Sequence, residues 1–195
     1  MKKWSFQFRV WHWVHATIVL GLIGTVFLRK TFLSWRENSH IILQQLHTWN
    51  IDITQEQAKL LAKAIRAPMW EWHILLGYGL AVVLVWRIAL FFTASGRRSY
   101  QEIKQLSLHK KVVKLSYLLL YALLLFMSIS GLVLTFGEDF SLSTEKLHAI
   151  KEVHEALFAP ILLFVIAHIA GVVMAENKNE RGILSDMIHG GEASK

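Results

Sequence analysis

The sequence contains no cysteine and only two prolines among its 195 residues. Because cysteine is absent, disulfides, thiolate metal sites, iron–sulfur clusters and covalent attachment of a c-type haem are all excluded. Cysteine usage therefore says nothing about the redox state of the compartment in which the protein works. The chain is instead rich in apolar side chains, which make up 54% of its residues, and it has ten histidines.

The chain is basic, with a formal net charge of +7. A basic chain can bind nucleic acid, but the high hydropathy argues against that class of partner. Lys and Arg residues in a membrane protein more often report its orientation than a polyanionic ligand. We therefore expect no nucleic-acid partner.

Four stretches are long and apolar enough to cross the hydrocarbon core of a bilayer, which is about 30 Å thick and needs about 20 helical residues. The predicted spans are residues 10–28, 69–93, 113–136 and 153–175. The last is the clearest, because residues 156–175 contain no charge and a single histidine, His168. We expect one all-α domain, an integral membrane four-helix bundle that contacts lipid.

The connection between the first two spans, residues 29–68, is long and polar. Within it, Thr54 and Gln57 match a capping box, and the apolar residues that follow share one helix face. This pattern predicts an additional short amphipathic helix in the first outer loop, lying on the membrane surface or capping the bundle.

The charges of the connections predict the orientation of the spans. Thirteen of the 21 Lys and Arg residues fall on the side that holds both termini and the second connection. The other eight are offset by nine acidic residues. Both termini are therefore expected in the cytoplasm.

Five histidines fall within or at the ends of the spans, where polar rings are costly and are candidates for function. His12 and His15 lie near the predicted inner side and His73 near the predicted outer side. His154 and His168 are 14 residues apart, about 21 Å along one helix with an offset of about 40°. Depth therefore pairs His12 with His168 and His73 with His154, which suits two stacked b haems.

The histidines allow other interpretations. Each histidine ring can be hydrogen-bonded across the bundle without binding a cofactor. A zinc site formed by histidines alone fits less well, because the inner and outer histidines lie too far apart for one ion. His15 lies three residues from His12, about 60° around the helix, and is an alternative ligand. Two imidazoles saturate a haem iron, which favours electron transfer over oxygen activation.

Several segments of the chain resemble the bacterial cytochrome b561 family, which includes the b-type cytochrome subunits of membrane nickel–iron hydrogenases. They are Arg9-Val10-Trp11-His12-Trp13, Trp72-His73, His154-Glu155 with His168, and Gly182-Ile183-Leu184-Ser185-Asp186-Met187-Ile188-His189-Gly190. The resemblance covers essentially the whole chain and implies the same two histidine pairs, with no ligand from the third span. It also implies that the chain lies in the inner membrane of a bacterial cell. The long first connection departs from compact members of the family.

The resemblance implies electron transfer between the quinone pool and a redox partner, either a periplasmic or a membrane protein. The expected cofactors are two haem b, with quinone as a substrate or bound ligand. A stand-alone superoxide:quinone oxidoreductase is the alternative, and a haem-free assembly protein is a third reading that the paired histidines disfavour. Cationic side chains near the inner interface are candidate partners of haem propionates, although they also fit the positive-inside pattern: Arg9, Arg87, Arg97 and Arg98.

Overall fold

The computed structural model describes residues 4–92, 108–178 and 181–190, and within these ranges it contains helices but no strand. In chain order the helices are α1 (Phe6–Lys30), α2 (Trp35–Thr48), α3 (Gln55–Phe91), α4 (Leu108–Phe136), α5 (Thr144–Ala156), α6 (Phe158–Lys178) and α7 (Ile183–His189). The chain divides into two compact units. The loop unit is residues 18–77, and the main unit is residues 1–17 with 78–195.

Within the described residues, four helical stretches are long and apolar enough to cross a membrane: Phe6–Lys30, Gln55–Leu90, Lys111–Phe136 and Thr144–Lys178. Their apolar side chains are largely exposed, as at Leu163, Ile166 and Ile169 of α6. Such surfaces are stable only when lipid covers them. The prediction of an all-α membrane bundle with four spans is confirmed.

The first connection contains a short helix, α2, but the capping box begins a much longer helix. The Thr54 N–H donates to Gln57 Oε1 at 2.8 Å, and the Gln57 N–H donates to Thr54 Oγ1 at 3.2 Å. The helix that starts there, α3, runs for 37 residues through Pro68 into the second span. Strong helix formers fill most of the segment between the cap and the span, and the helix continues past Pro68, so the amphipathic segment is an extension of the spanning helix.

The fourth span is divided at Leu157 into α5 and α6. Pro160 has no N–H to donate to the carbonyl oxygen of Ala156, and its ring crowds that oxygen. His154 therefore lies on α5 and His168 on α6. The offset of about 40° between the two side chains holds for one uninterrupted helix. The structure instead has two helices, which meet at Leu157.

A short helix, α7, follows α6 and lies between two glycines in the left-handed region, Gly182 at φ 87° and Gly190 at φ 83°. The Glu176 carboxylate accepts from the Gly182 N–H at 2.9 Å and from the Leu184 N–H at 3.0 Å. These bonds satisfy two of the backbone donors that the first turn of a helix leaves free. The segment from Gly182 to Gly190, one of the segments that carry the family resemblance, therefore contains a helix.

Candidate functional site

His73 on α3 is held by a hydroxyl from α1 within the loop unit. Thr25 Oγ1 lies 2.7 Å from His73 Nδ1 and also donates to the Leu22 carbonyl oxygen at 2.7 Å. A hydroxyl group has one proton to donate, and the Thr25 hydroxyl donates it to the Leu22 carbonyl oxygen. His73 Nδ1–H must therefore donate to Thr25, which leaves the lone pair on Nε2.

His154 on α5 is held in the same way by α4 within the main unit. Ser130 Oγ lies 2.8 Å from His154 Nδ1 and donates to the Phe126 carbonyl oxygen at 2.7 Å. The Nδ1–H of His154 donates to Ser130 for the same reason as in the first case. Thr25 and Ser130 are both buried, so these bonds are shielded from water.

The two hydroxyls hold two imidazoles in the tautomer that leaves Nε2 able to bind a metal. A metal-bound histidine usually donates its second ring N–H to a fixed acceptor, which sets the tautomer and ring orientation and raises the basicity of the ligand nitrogen. Thr25 and Ser130 are such acceptors. His73 and His154 belong to different units, and their pairing stays a prediction.

His12 on α1 and His168 on α6 are brought together within the main unit. Their ring centroids are 6.2 Å apart, and the ring planes are inclined by 62°. An imidazole nitrogen binds a transition metal at about 2.0–2.1 Å, so two rings that share one iron have centroids about 6 Å apart. The observed separation fits a shared haem iron.

His168 is oriented by two aromatic side chains. Tyr117 Oη lies 3.1 Å from His168 Nδ1, and the Phe164 ring is nearly parallel to the imidazole with centroids 6.2 Å apart. A metal at Nε2 requires the proton on Nδ1, in which case the phenol oxygen accepts. Tyr117 comes from α4, so the third predicted span supplies a hydrogen-bond partner to a candidate ligand.

His15 is placed differently from His12. Its ring stacks on Trp11 with centroids 4.9 Å apart, and its buried Nε2 has no hydrogen-bond partner in the part of the chain that the structure describes. Trp11 is almost fully buried, and its indole N–H donates to the Val83 carbonyl oxygen at 2.8 Å. Of the two neighbouring histidines, it is His12 whose ring lies against His168.

Arg9 contacts the end of α7. Its Nη1 donates to the Ile188 carbonyl oxygen at 3.0 Å, and a Cβ at Gly190 would lie only 3.0 Å from its guanidinium carbon. The Trp13 indole N–H donates to the Met187 carbonyl oxygen at 3.3 Å. A cation at the carbonyl end of a helix is favourable, so Arg9 holds α7 in place. Its role toward a haem propionate stays a prediction.

Arg87 lies among three aromatic rings. Its guanidinium carbon is 5.5 Å from the ring centroid of Phe8, 5.4 Å from that of Trp11 and 5.5 Å from that of Tyr121. Cation–π attraction of this kind anchors a guanidinium inside an apolar region. Residues 97 and 98, also considered as propionate partners, lie outside the described residues.

The hydroxyl partners were not identified from the sequence. Thr25, Ser130 and Tyr117 are ordinary residues in apolar spans, and only their positions opposite histidines distinguish them. The sequence could have indicated such a partner only as a hydroxyl residue in a predicted span, at the same depth as a histidine on another helix. That signal is weak, because such residues also bond to the backbone of their own helix.

The histidine pairs suit a haem better than a metal ion bound by protein alone. Among the described residues, no group of three or more His, Cys, Asp or Glu side chains is placed to hold a metal ion. Zinc takes at least three protein ligands, whereas a haem iron needs only axial ligands from the chain.

Comparison with known proteins agrees with this chemistry. A model of the family described as prokaryotic cytochrome b561 matches residues 3–190 of the chain. No curated protein and no solved structure matches it. The chain therefore belongs to the prokaryotic cytochrome b561 family, whose members transfer electrons across a membrane by means of b haem.

Proposed function

We propose that this protein relays electrons through two b haems between the quinone pool and a redox partner protein. His12 and His168 bind the inner haem, and His73 and His154 bind the outer haem. The ring separation of His12 and His168 is the observation that carries this proposal, because two imidazoles at 6.2 Å suit one shared iron.

The chain's own residues select electron transfer over other haem chemistry. A b haem supplies a one-electron couple, and histidine on both sides of the iron leaves no open position for oxygen. Thr25 and Ser130 hold the imidazoles of the outer pair in the tautomer that binds iron through Nε2. Tyr117 holds His168 at the inner pair. Orientation of the ligands by fixed acceptors keeps both oxidation states in one geometry.

Quinone is the proposed exchange partner because it is dissolved in the same membrane and takes up protons with electrons. His15 is the candidate contact on the inner side, since its Nε2 is buried and unbonded among the described residues. Both termini are placed in the cytoplasm by the positive-inside pattern. The protein is accordingly a multi-pass membrane protein with the outer haem toward the periplasm.

The haem content of the purified protein tests the proposal. We expect close to two haems per chain, both low-spin, and complete loss of colour on acid–acetone extraction because no cysteine holds them. Pyridine haemochrome absorbance and protein mass measure the ratio. One haem per chain in a fully loaded preparation contradicts the two-pair assignment.

Redox titration with alternative donors distinguishes the partners. Rapid reduction of both haems by a quinol, with oxidation by a water-soluble acceptor at the other face, supports the relay. Reduction by superoxide with quinone as the acceptor instead supports the alternative, a stand-alone superoxide:quinone oxidoreductase. Haems that are neither reduced by quinol or superoxide nor oxidised by quinone contradict both.

The hydroxyl partners provide a second test. We expect Ser130→Ala to raise the midpoint potential of the outer haem and to weaken haem binding about 10-fold or more, because the ligand loses the acceptor that makes it basic. Ser116→Ala is the matched control, since Ser116 Oγ donates to the Val113 carbonyl oxygen at 2.8 Å on the same helix and is not bonded to a histidine. Spectroelectrochemistry and haem transfer to a competing apoprotein measure the two effects. Equal behaviour of the two variants contradicts the positioning role.

A further inference from the structure

Two arginines lie on the same indole in the loop unit. The guanidinium carbon of Arg29, on α1, is 5.6 Å from the Trp70 ring centroid, and that of Arg66, on α3, is 5.9 Å from it. The Trp70 ring in turn meets the His73 ring edge-on, with centroids 5.6 Å apart. We call Arg29, Arg66 and Trp70 the arginine pair site.

The arginine pair site is in register with the histidine ligand. Arg66, Trp70 and His73 are spaced by four and three residues, so they follow one face of α3. Thr25 and Arg29 are four residues apart on α1, and the Thr25 hydroxyl meets the His73 ring. Both helices therefore place a cation one to two turns from the histidine, in the same direction.

The cations are set close together despite their like charge. Both guanidinium groups lie within 6 Å of one ring centroid, and repulsion opposes that arrangement unless an anion lies between or beside them. Arg66 Nε is buried and has no hydrogen-bond partner among the described residues. A buried donor without an acceptor is unfavourable, and an anionic acceptor would satisfy the Arg66 Nε–H.

We propose that the arginine pair site binds the propionate carboxylates of the outer haem. This inference rests on the proposed function, which places that haem on His73. A haem carries two carboxylates, and these are costly to bury in hydrocarbon unless a cation pairs with them. Guanidinium binds a carboxylate through two parallel N–H bonds, and both guanidinium groups lie against the Trp70 ring. The other source of the same chemistry is a lipid phosphate.

The first experiment measures the potential of the outer haem in the holoprotein. A cation beside the propionates favours the reduced haem, which carries one more negative charge. We expect Arg66→Gln to lower the reduced-to-oxidised ratio at a fixed potential three- to tenfold, where tenfold is about 59 mV for one electron. Arg66→Lys should recover part of this loss. Arg36→Gln is the matched control, because Arg36 lies 4.8 Å over Trp35 in the same unit, and no change is expected.

The second experiment asks whether the arginines contact the carboxylates themselves. Full-length apoprotein from haem-deficient cells is loaded with haem b or with its dimethyl ester, in which both carboxylates are blocked. We expect the wild-type outer site to prefer haem b at least tenfold. Arg29→Gln/Arg66→Gln should reduce the preference to about onefold, while the inner site is unaffected.

The outcomes separate this inference from the proposed function. An unchanged preference for haem b in the double variant overturns the inference even if the potential shifts. An arginine effect that appears only in vesicles containing phosphatidylglycerol, and not in phosphatidylcholine alone, assigns the pair to a lipid phosphate and also overturns it. Absence of an outer haem in the wild type overturns the proposed function instead, and that result is read before any substitution is made.

Discussion

We expect His168→Ala to abolish the inner haem signal and to leave the outer haem intact, whereas His154→Ala should do the reverse. The two residues lie on separate helices, α6 and α5, and have different partners, Tyr117 and Ser130. Loss of an axial imidazole leaves the iron with one protein ligand, so we expect nearly complete loss of the corresponding low-spin band. Low-temperature reduced-minus-oxidised spectra resolve the two components.

His148→Ala is the matched control for this pair of variants. His148 is on α5, about two turns before His154. Its side chain is 68% exposed, and its Nδ1 lies 3.5 Å from Glu152 Oε1. We expect both haems to remain. Loss of the same spectral component from the His154 and His168 variants would mean that the two histidines serve one haem, and the pairing would be wrong.

The second large effect concerns the neighbouring histidines of α1. We expect His12→Ala to remove the inner haem completely, because its ring lies 6.2 Å from that of His168. His15→Ala should keep the haem, since the His15 ring is stacked on Trp11. It should instead slow reduction by quinol if His15 is the quinone contact. Spectra at equal protein concentration, with quinol-dependent stopped-flow reduction, measure both effects.

Phe6→Ala is a useful companion to these variants, because Phe6 is exposed at the start of the same helix. It reports whether a truncation anywhere in this segment disturbs haem loading. Retention of the inner haem in His12→Ala together with its loss in His15→Ala would reverse the assignment. The family resemblance of the segment from Arg9 to Trp13 would then have assigned the ligand to the wrong histidine.

The histidine ligands could be proposed from the sequence because hydropathy is local. Charge-free runs of about 20 residues locate the spans, and a histidine inside such a run is unusual enough to be noticed. Depth then follows from counting residues at a fixed helical rise. The pairing of His12 with His168 needed nothing more. The two rings lie 6.2 Å apart in the structure, and their sharing of one haem stays a prediction.

Helix boundaries were less predictable where two local signals conflict. A polar connection next to an apolar span suggested a break before Met69, but α3 continues through both, with Pro68 inside it. The uninterrupted apolar run from residue 156 suggested one helix, but Pro160 divides it at Leu157. Hydropathy indicates whether a segment lies in lipid or in water, but it does not show where the backbone hydrogen bonds of a helix are interrupted.

The sequence by itself determined the four spans, the absence of thiolate chemistry and the identity of the candidate ligands, because each depends on composition and spacing along one helix. Only the tertiary structure decided which hydroxyl accepts a hydrogen bond from which imidazole. It likewise decided that Arg9 donates to a carbonyl oxygen at the end of α7. It also decided that two arginines share Trp70. These contacts depend on the rotation and register of one helix against another, and residues distant in sequence set them jointly through packing.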